Sequence, residues 1–203
     1  MTNLNGRIFI SGLLLAGFLL WMSFSWQPID FWVLFPLSLA FLTAYAYFFE
    51  QIEITSLSKK EWLLGLFSGA LIYVGFAFGK GVIVATGLPL LEQLESLYEL
   101  VRPRETWHYL LLFIIVIPGE EWFWRGFVVK RLKQRLTPVH AALIGTLLYA
   151  GAHLFAGSLL LVLAALLAGF IWAWLYVKTN NLGVPIVSHL LFDLLLLIIF
   201  PLI

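Results

Sequence analysis

From Ile8 to Trp26 the chain runs nineteen residues without a charged side chain, and long apolar runs begin again at Ile29, Trp62, Trp107, Pro138, Ser158 and Val184. Crossing a hydrocarbon core about 30 Å thick takes roughly 20 helical residues. No water reaches a bare peptide group there, so a spanning segment must be a helix or a strand of a closed barrel. Barrel strands alternate apolar and polar residues over about ten positions; these runs are longer and almost wholly apolar, which selects helices. With 62% hydrophobic and 11% charged residues among 203, the chain has too little polar surface for a water-soluble fold. The sequence therefore predicts one integral membrane domain over residues 1–203, an all-α, polytopic transmembrane helix bundle of about seven spans.

The first run follows Arg7, is longer than the apolar part of a signal peptide and lacks a small-residue cleavage site, so it reads as a retained span. Gln27-Pro28 turns the chain into a second span, Ile29 to Phe49, closing on the interfacial aromatics Tyr45, Tyr47, Phe48 and Phe49. A polar loop, Glu50 to Glu61, leads to a third span from Trp62 to about Thr86. Its one ionisable residue, Lys80, stands near the far end and reads as a lysine snorkelling to the interface. Leu88 to Val101 has another character: Leu91, Leu94, Leu97, Tyr98 and Val101 recur at helical spacing opposite Glu92, Glu95 and Glu99, an amphipathic interfacial helix lying on the membrane surface rather than a lid. A fourth span starts near Trp107, and the fifth, sixth and seventh cover Pro138 to Gly157, Ser158 to Val177, and Val184 to Ile203.

Lys and Arg in the connecting segments divide eight to two, with Arg7, Lys59, Lys60, the four of residues 130–135 and Lys178 on one side, and Arg102 and Arg104 on the other. The positive-inside rule makes the first side cytoplasmic, with the N-terminus inside, the C-terminus external and the protein in the cell membrane. Residues 130–135 then read as a cytoplasmic loop touching anionic lipid. The net charge of +1 offers no basic face for nucleic acid. The absence of cysteine excludes a thiol nucleophile and thiolate metal sites.

Against this background the ionisable residues inside the later spans stand out. A charge at membrane depth costs roughly 2.5–3.5 kcal/mol on insertion scales, and such groups usually face a protein interior or a wet cavity. Glu120, Glu121, Arg125, His153, His189 and Asp193 lie on three separate spans and point to one shared site. Helical periodicity puts Glu121 and Arg125 on one face, where they can pair, and turns Glu120 about 100° away without a local partner. Pro118-Gly119 just before them predicts a kink with room beside it. Available to such a set is water activation and attack on a carbonyl, with Glu120 as base and histidines sharing the proton or donating to the oxyanion. His189 with Asp193 one turn on also reads as a structural pair, and Ser188 lacks the Gly-x-Ser-x-Gly setting of a nucleophile. His108 and His140 read as interfacial.

Three patterns taken together, Glu-Glu-x-x-x-Arg at 120–125, aromatic-x-x-x-His at 149–153 and His-x-x-x-Asp at 189–193, resemble the CAAX-processing and bacteriocin-immunity family of intramembrane proteases, of abortive-infection type. The resemblance covers about residues 105–200. It implies that Glu120 activates water with His153, that Glu121 and Arg125 hold the site, and that His189 with residue 193 forms the oxyanion side. Two positions depart from the family pattern. Tyr149 stands where Phe is usual, and Asp193 where Asn is frequent; an ionised Asp cannot donate a hydrogen bond, so the expectation here is that it orients His189.

The reading is thus an intramembrane endopeptidase acting near the cytoplasmic side on a membrane-associated protein or peptide, in contact with the lipid bilayer and with no nucleic-acid partner. A proton- or ion-coupled carrier, or a non-catalytic partner-binding relative, would use the same groups; no internal repeat supports the carrier. For metal, His153 and His189 with Glu120 or Asp193 would make a two-histidine, one-carboxylate zinc set, but no His-Glu-x-x-His helix presets it. A metal-free mechanism is favoured over zinc.

Overall fold

The computed structural model describes residues 3–52 and 55–203; Glu53 and Ile54, in the expected polar loop, lie outside the described residues. All regular structure among the described residues is helical. Helices α1 (Asn3–Trp21), α2 (Phe31–Phe49), α3 (Lys59–Thr86) and α4 (Leu91–Val101) make up the first half. From Thr106 to Lys133 the backbone stays helical but alternates: α5 (Thr106–Leu111), a π segment Leu112–Val116, α6 (Ile117–Glu121), a second π segment Trp122–Val129 and α7 (Lys130–Lys133). Then come α8 (Pro138–Ala152), which tightens into a 3₁₀ turn at His153–Ala156, α9 (Leu159–Thr179) and α10 (Gly183–Asp193), which widens into π over Leu194–Ile199.

Five helices are long and apolar enough to cross a membrane: Gly6–Trp26, Phe31–Phe49, Lys59–Thr86, Pro138–Ala156 and Leu159–Thr179. The expected fourth and seventh spans are not among these five, and in both the helical bonding is interrupted by π segments. Pro118 explains the first interruption. It has no N–H, and its ring collides with the carbonyl four residues back, a conflict costing about 3 kcal/mol in a regular helix. Here the preceding turn expands instead, and the Ile117 amide bonds the Leu112 carbonyl five residues away.

Because lipid tails are as apolar as leucine, helices in a bilayer associate through close packing and polar contacts rather than hydrophobic expulsion. Both are visible between α3 and α10. Gly65 and Gly69 face α10 so closely that a Cβ on Gly65 would stand 3.1 Å from the Val184 carbonyl oxygen, and one on Gly69 would collide with that of Ser188. Between them, Ser68 Oγ donates to Ser188 Oγ at 3.0 Å. Ser23, in the π turn Met22–Trp26 that continues α1, shares a hydrogen bond with Ser38 of α2 at 3.1 Å.

Several expected features are corrected. The third helix starts at Lys59 rather than Trp62, because Ser58 and Glu61 form a reciprocal capping box. Gly87, at φ 67°, ends it, and Leu88–Leu90 make the turn, so the amphipathic helix begins at Leu91. That helix does not merely rest on the membrane. Tyr98 is buried; its hydroxyl donates to the Leu196 carbonyl and accepts from the Leu202 amide, both at 2.9 Å. Three charges of the basic segment after Val129 are engaged within the protein. Arg131 meets Glu50 at 2.9 Å, Lys130 meets Glu50 at 3.4 Å, and Lys133 Nζ donates to Asn180 Oδ1. His108 and His140 are structural, as expected: His108 Nδ1 accepts from the Arg104 amide at 3.1 Å, and His140 pairs with Thr137 at 2.6 Å.

Candidate active site

The α6 turn that carries Glu120 and Glu121 lies between the two π segments, an irregularity often found where a helix presents functional groups. Both carboxylates are buried, and they face differently, as the 100° step requires. Glu120 lines a cavity of about 400 Å³ whose wall is otherwise almost wholly apolar, while Glu121 is turned into the protein. The same cavity is lined by Tyr149, His153, His189 and Asp193.

Glu120 stands between two histidines. Its Oε1 is 3.7 Å from His153 Nε2, and its Oε2 is 3.9 Å from His189 Nε2. These gaps exceed a direct hydrogen bond and suit one water in contact with both groups. The Tyr149 hydroxyl donates to Glu120 Oε2 at 3.0 Å, leaving Oε1 free on the His153 side. His153 Nδ1 donates to the Tyr149 carbonyl at 2.8 Å. A carbonyl oxygen only accepts, so that bond fixes the proton on Nδ1 and leaves the Nε2 lone pair of the neutral ring toward Glu120. The 3₁₀ tightening at His153 sets the ring at this angle beneath Tyr149, 4.5 Å away between centroids.

Glu121 organises the other half. Its Oε1 accepts from Arg125 Nη1 at 3.0 Å and from His189 Nδ1 at 2.8 Å; its Oε2 is buried without a hydrogen-bond partner among the described residues. Arg125 Nη2 donates to the Gly169 carbonyl at 3.0 Å, and the guanidinium lies 4.6 Å from the Tyr149 ring centre and 5.3 Å from that of Trp172. Gly169 is required for this approach, since a Cβ there would stand 2.8 Å from the Tyr149 ring. His189 reaches the Glu120 level on α10, which begins at Gly183. The α9–α10 turn is itself drawn in, with Asn181 and Leu182 buried and Asn181 bonded to Glu61 at 3.3 Å.

The orienting bond to His189 comes from Glu121, correcting the expectation that Asp193 would supply it. Asp193 Oδ2 is 3.6 Å from the opposite nitrogen, Nε2, on the cavity side.

Residues 102–195 match the family model described as type II CAAX prenyl endopeptidase, Rce1-like. Over these residues the chain is similar to that family, which supports the CAAX-processing intramembrane protease reading. The matched segment contains all seven residues just described, from Glu120 to Asp193. No curated protein and no solved structure matches the chain.

The donor types of Glu120, His153 and His189 raise the question of zinc. Two ligands of one tetrahedral zinc lie about 3.3 Å apart, closer than the 3.7 and 3.9 Å seen here. Tyr149 and Glu121 engage Glu120 Oε2 and His189 Nδ1, which leaves Glu120 Oε1 and the Nε2 atoms of both histidines as the donors on the cavity side. Among the described residues no group of three or more His, Asp or Glu side chains is placed to hold a metal ion.

Trp172 escaped the sequence reading. Its indole stacks on His189 at 3.8 Å and 17°, and its Nε1 donates to Ser188 Oγ at 3.2 Å. The imidazole is thus fixed in plane by a ring and at its edge by Glu121. Trp172 lies three residues after Gly169 on α9, so the i, i+3 spacing that brings both to one face was readable. Nothing local distinguished this tryptophan from the other apolar residues of its span. Ser188 serves as the acceptor that steadies Trp172, not as a nucleophile.

Proposed function

We propose that the chain is an intramembrane endopeptidase that hydrolyses a peptide bond with a water activated by Glu120 and His153. The water sits between Glu120 Oε1 and His153 Nε2, and its oxygen attacks the carbonyl carbon as a proton passes to Glu120. Because Nδ1–H is given to Glu121, His189 meets the developing oxyanion through Nε2–H only as the doubly protonated imidazolium, with Glu121 and Asp193 beside it as counter-charges. The proton held on Glu120 then passes to the leaving amine as the C–N bond breaks, giving one acid and one amine. Tyr149 steadies the unused oxygen of Glu120, while Glu121 and Arg125 hold His189 and the α9 backbone. The observation that carries this reading is the placement of one buried carboxylate within 4 Å of two imidazoles from different helices at the wall of an apolar cavity. The substrate is a membrane-associated protein or peptide; the family description names prenyl endopeptidases, and the apolar wall suits a lipid-modified or hydrophobic segment. With purified protein in lipid nanodiscs and a pool of membrane-protein peptides in H₂¹⁸O, each new C-terminus should carry one ¹⁸O. A carrier using the same groups would create no termini.

The reaction is read as metal-free. Elemental analysis of purified active protein should find no stoichiometric zinc, and chelation should leave turnover intact. One zinc per chain, with activity lost on chelation and restored by zinc, would reverse the assignment.

The basic side is taken as cytoplasmic, with the N-terminus inside. Glu120 and Arg131 are 11 residues apart on one helical run, about 16 Å, which fits chemistry within the membrane reached from the cytoplasmic side. A reporter after Ile203 should read as external and one between Arg131 and Lys133 as cytoplasmic; the opposite pattern would invert the protein.

A further inference from the structure

The cavity that holds the reacting groups does not end there. It runs outward along the bare face of α3, where Gly75 and Gly79 have nothing within 4 Å of a Cβ, beneath Leu94 and Leu97 of α4, and reaches Lys80. Lys80 is the one cation among the described residues that line it, and it has no ion-pair partner among them. The cavity is therefore polarised, with the Glu120 and Asp193 carboxylates at the inner end and an unpaired ammonium at the outer end.

We propose that Lys80 is a specificity-determining residue that takes a carboxylate of the substrate, a reading that rests on the endopeptidase function above. The spacing follows from the helices. α3 and α10 lie side by side with Gly69 against Ser188, the neighbour of His189, and Lys80 is 11 residues beyond Gly69, about 16 Å along the helix. An extended peptide advances about 3.3–3.6 Å per residue, so the carboxylate belongs about four residues from the bond that is cut, with apolar residues between. A C-terminal carboxylate and an acidic side chain offer the same chemistry at that distance.

The test uses the full-length Glu120→Gln protein in nanodiscs of zwitterionic lipid, with fluorescent peptides of apolar residues. One pair ends in a carboxylate or a carboxamide; a second pair, amidated, carries Glu or Gln at the outer position. The carboxylate member of at least one pair should bind about tenfold or more tightly, the scale of a hydrogen bond to a charged group, and the pair that discriminates names the source. Lys80→Gln should remove that preference and Lys80→Arg should keep it, with both variants monodisperse on size exclusion. Equal binding within both pairs, a preference that survives Lys80→Gln, or Lys80-dependent binding of dodecyl phosphate without any carboxylate preference would each overturn the proposal. Because binding is read without turnover, the two ideas separate. Peptides bound by carboxylate but never cut by the unsubstituted protein would defeat the endopeptidase reading and leave Lys80 standing, whereas cutting without carboxylate preference would do the reverse.

Discussion

Glu120→Gln should lower kcat by roughly 100- to 10,000-fold, the usual contribution of a positioned general base, with little change in the yield or melting temperature of the folded protein. The amide keeps the shape of the carboxylate and retains an oxygen to accept from the Tyr149 hydroxyl, which bonds Glu120 Oε2 at 3.0 Å. Lost is the acceptor for the water proton on the side facing His153. Glu121→Gln should behave differently. Glu121 Oε1 receives both Arg125 and His189, so neutralising it removes the counter-charge of a buried guanidinium, and yield should fall together with activity. Near-normal turnover by Glu120→Gln would rule out its role as base.

Arg125→Ala should destabilise the protein by about 3–5 kcal/mol, because removing one member of a buried ion pair leaves the other charge uncompensated. Both partners are almost wholly inaccessible, at 1% and 0% exposure. Arg125 also holds the Gly169 carbonyl and faces the Tyr149 and Trp172 rings, so a single ammonium cannot replace its planar fork, and Arg125→Lys should rescue only part of the loss. A double-mutant cycle measured by thermal melting in detergent checks this. Arg125→Ala combined with Glu121→Gln should be less damaged than the sum of the single changes, and strict additivity would mean the pair is not coupled.

Glu121 and Arg125 were legible in the sequence for the reason they pair in the structure: residues four apart share a helical face, and the π expansion after Glu121 does not separate them. The convergence of Glu120, His153 and His189 was legible only as a motif order. Nothing local reveals that the α9–α10 turn is buried behind Leu57 and the Glu61–Asn181 contact. The orienting partner of His189 was misread for a related reason. Asp193 is one turn away in sequence, but Glu121 approaches from another helix at 2.8 Å, and i, i+4 spacing carries no information on cross-helix neighbours. Trp172 and Gly169 belong to the same class of contact. Lys130 and Arg131 looked like lipid-facing charge until the Glu50 carboxylate came within 3.4 and 2.9 Å of them. The α4 helix shows what periodicity does and does not supply: it marks the apolar stripe, and only the fold shows that Leu94, Leu97 and Tyr98 close over the reaction cavity.

The central claim is that Glu120 makes this chain a hydrolase of membrane-associated polypeptides. It is tested most directly by expressing the unsubstituted chain and its Glu120→Gln variant at equal levels in one host and mapping the termini of the host's membrane proteins. New termini should be present with the unsubstituted chain and missing with Glu120→Gln; identical termini in the two cultures would mean that Glu120 carries no hydrolysis.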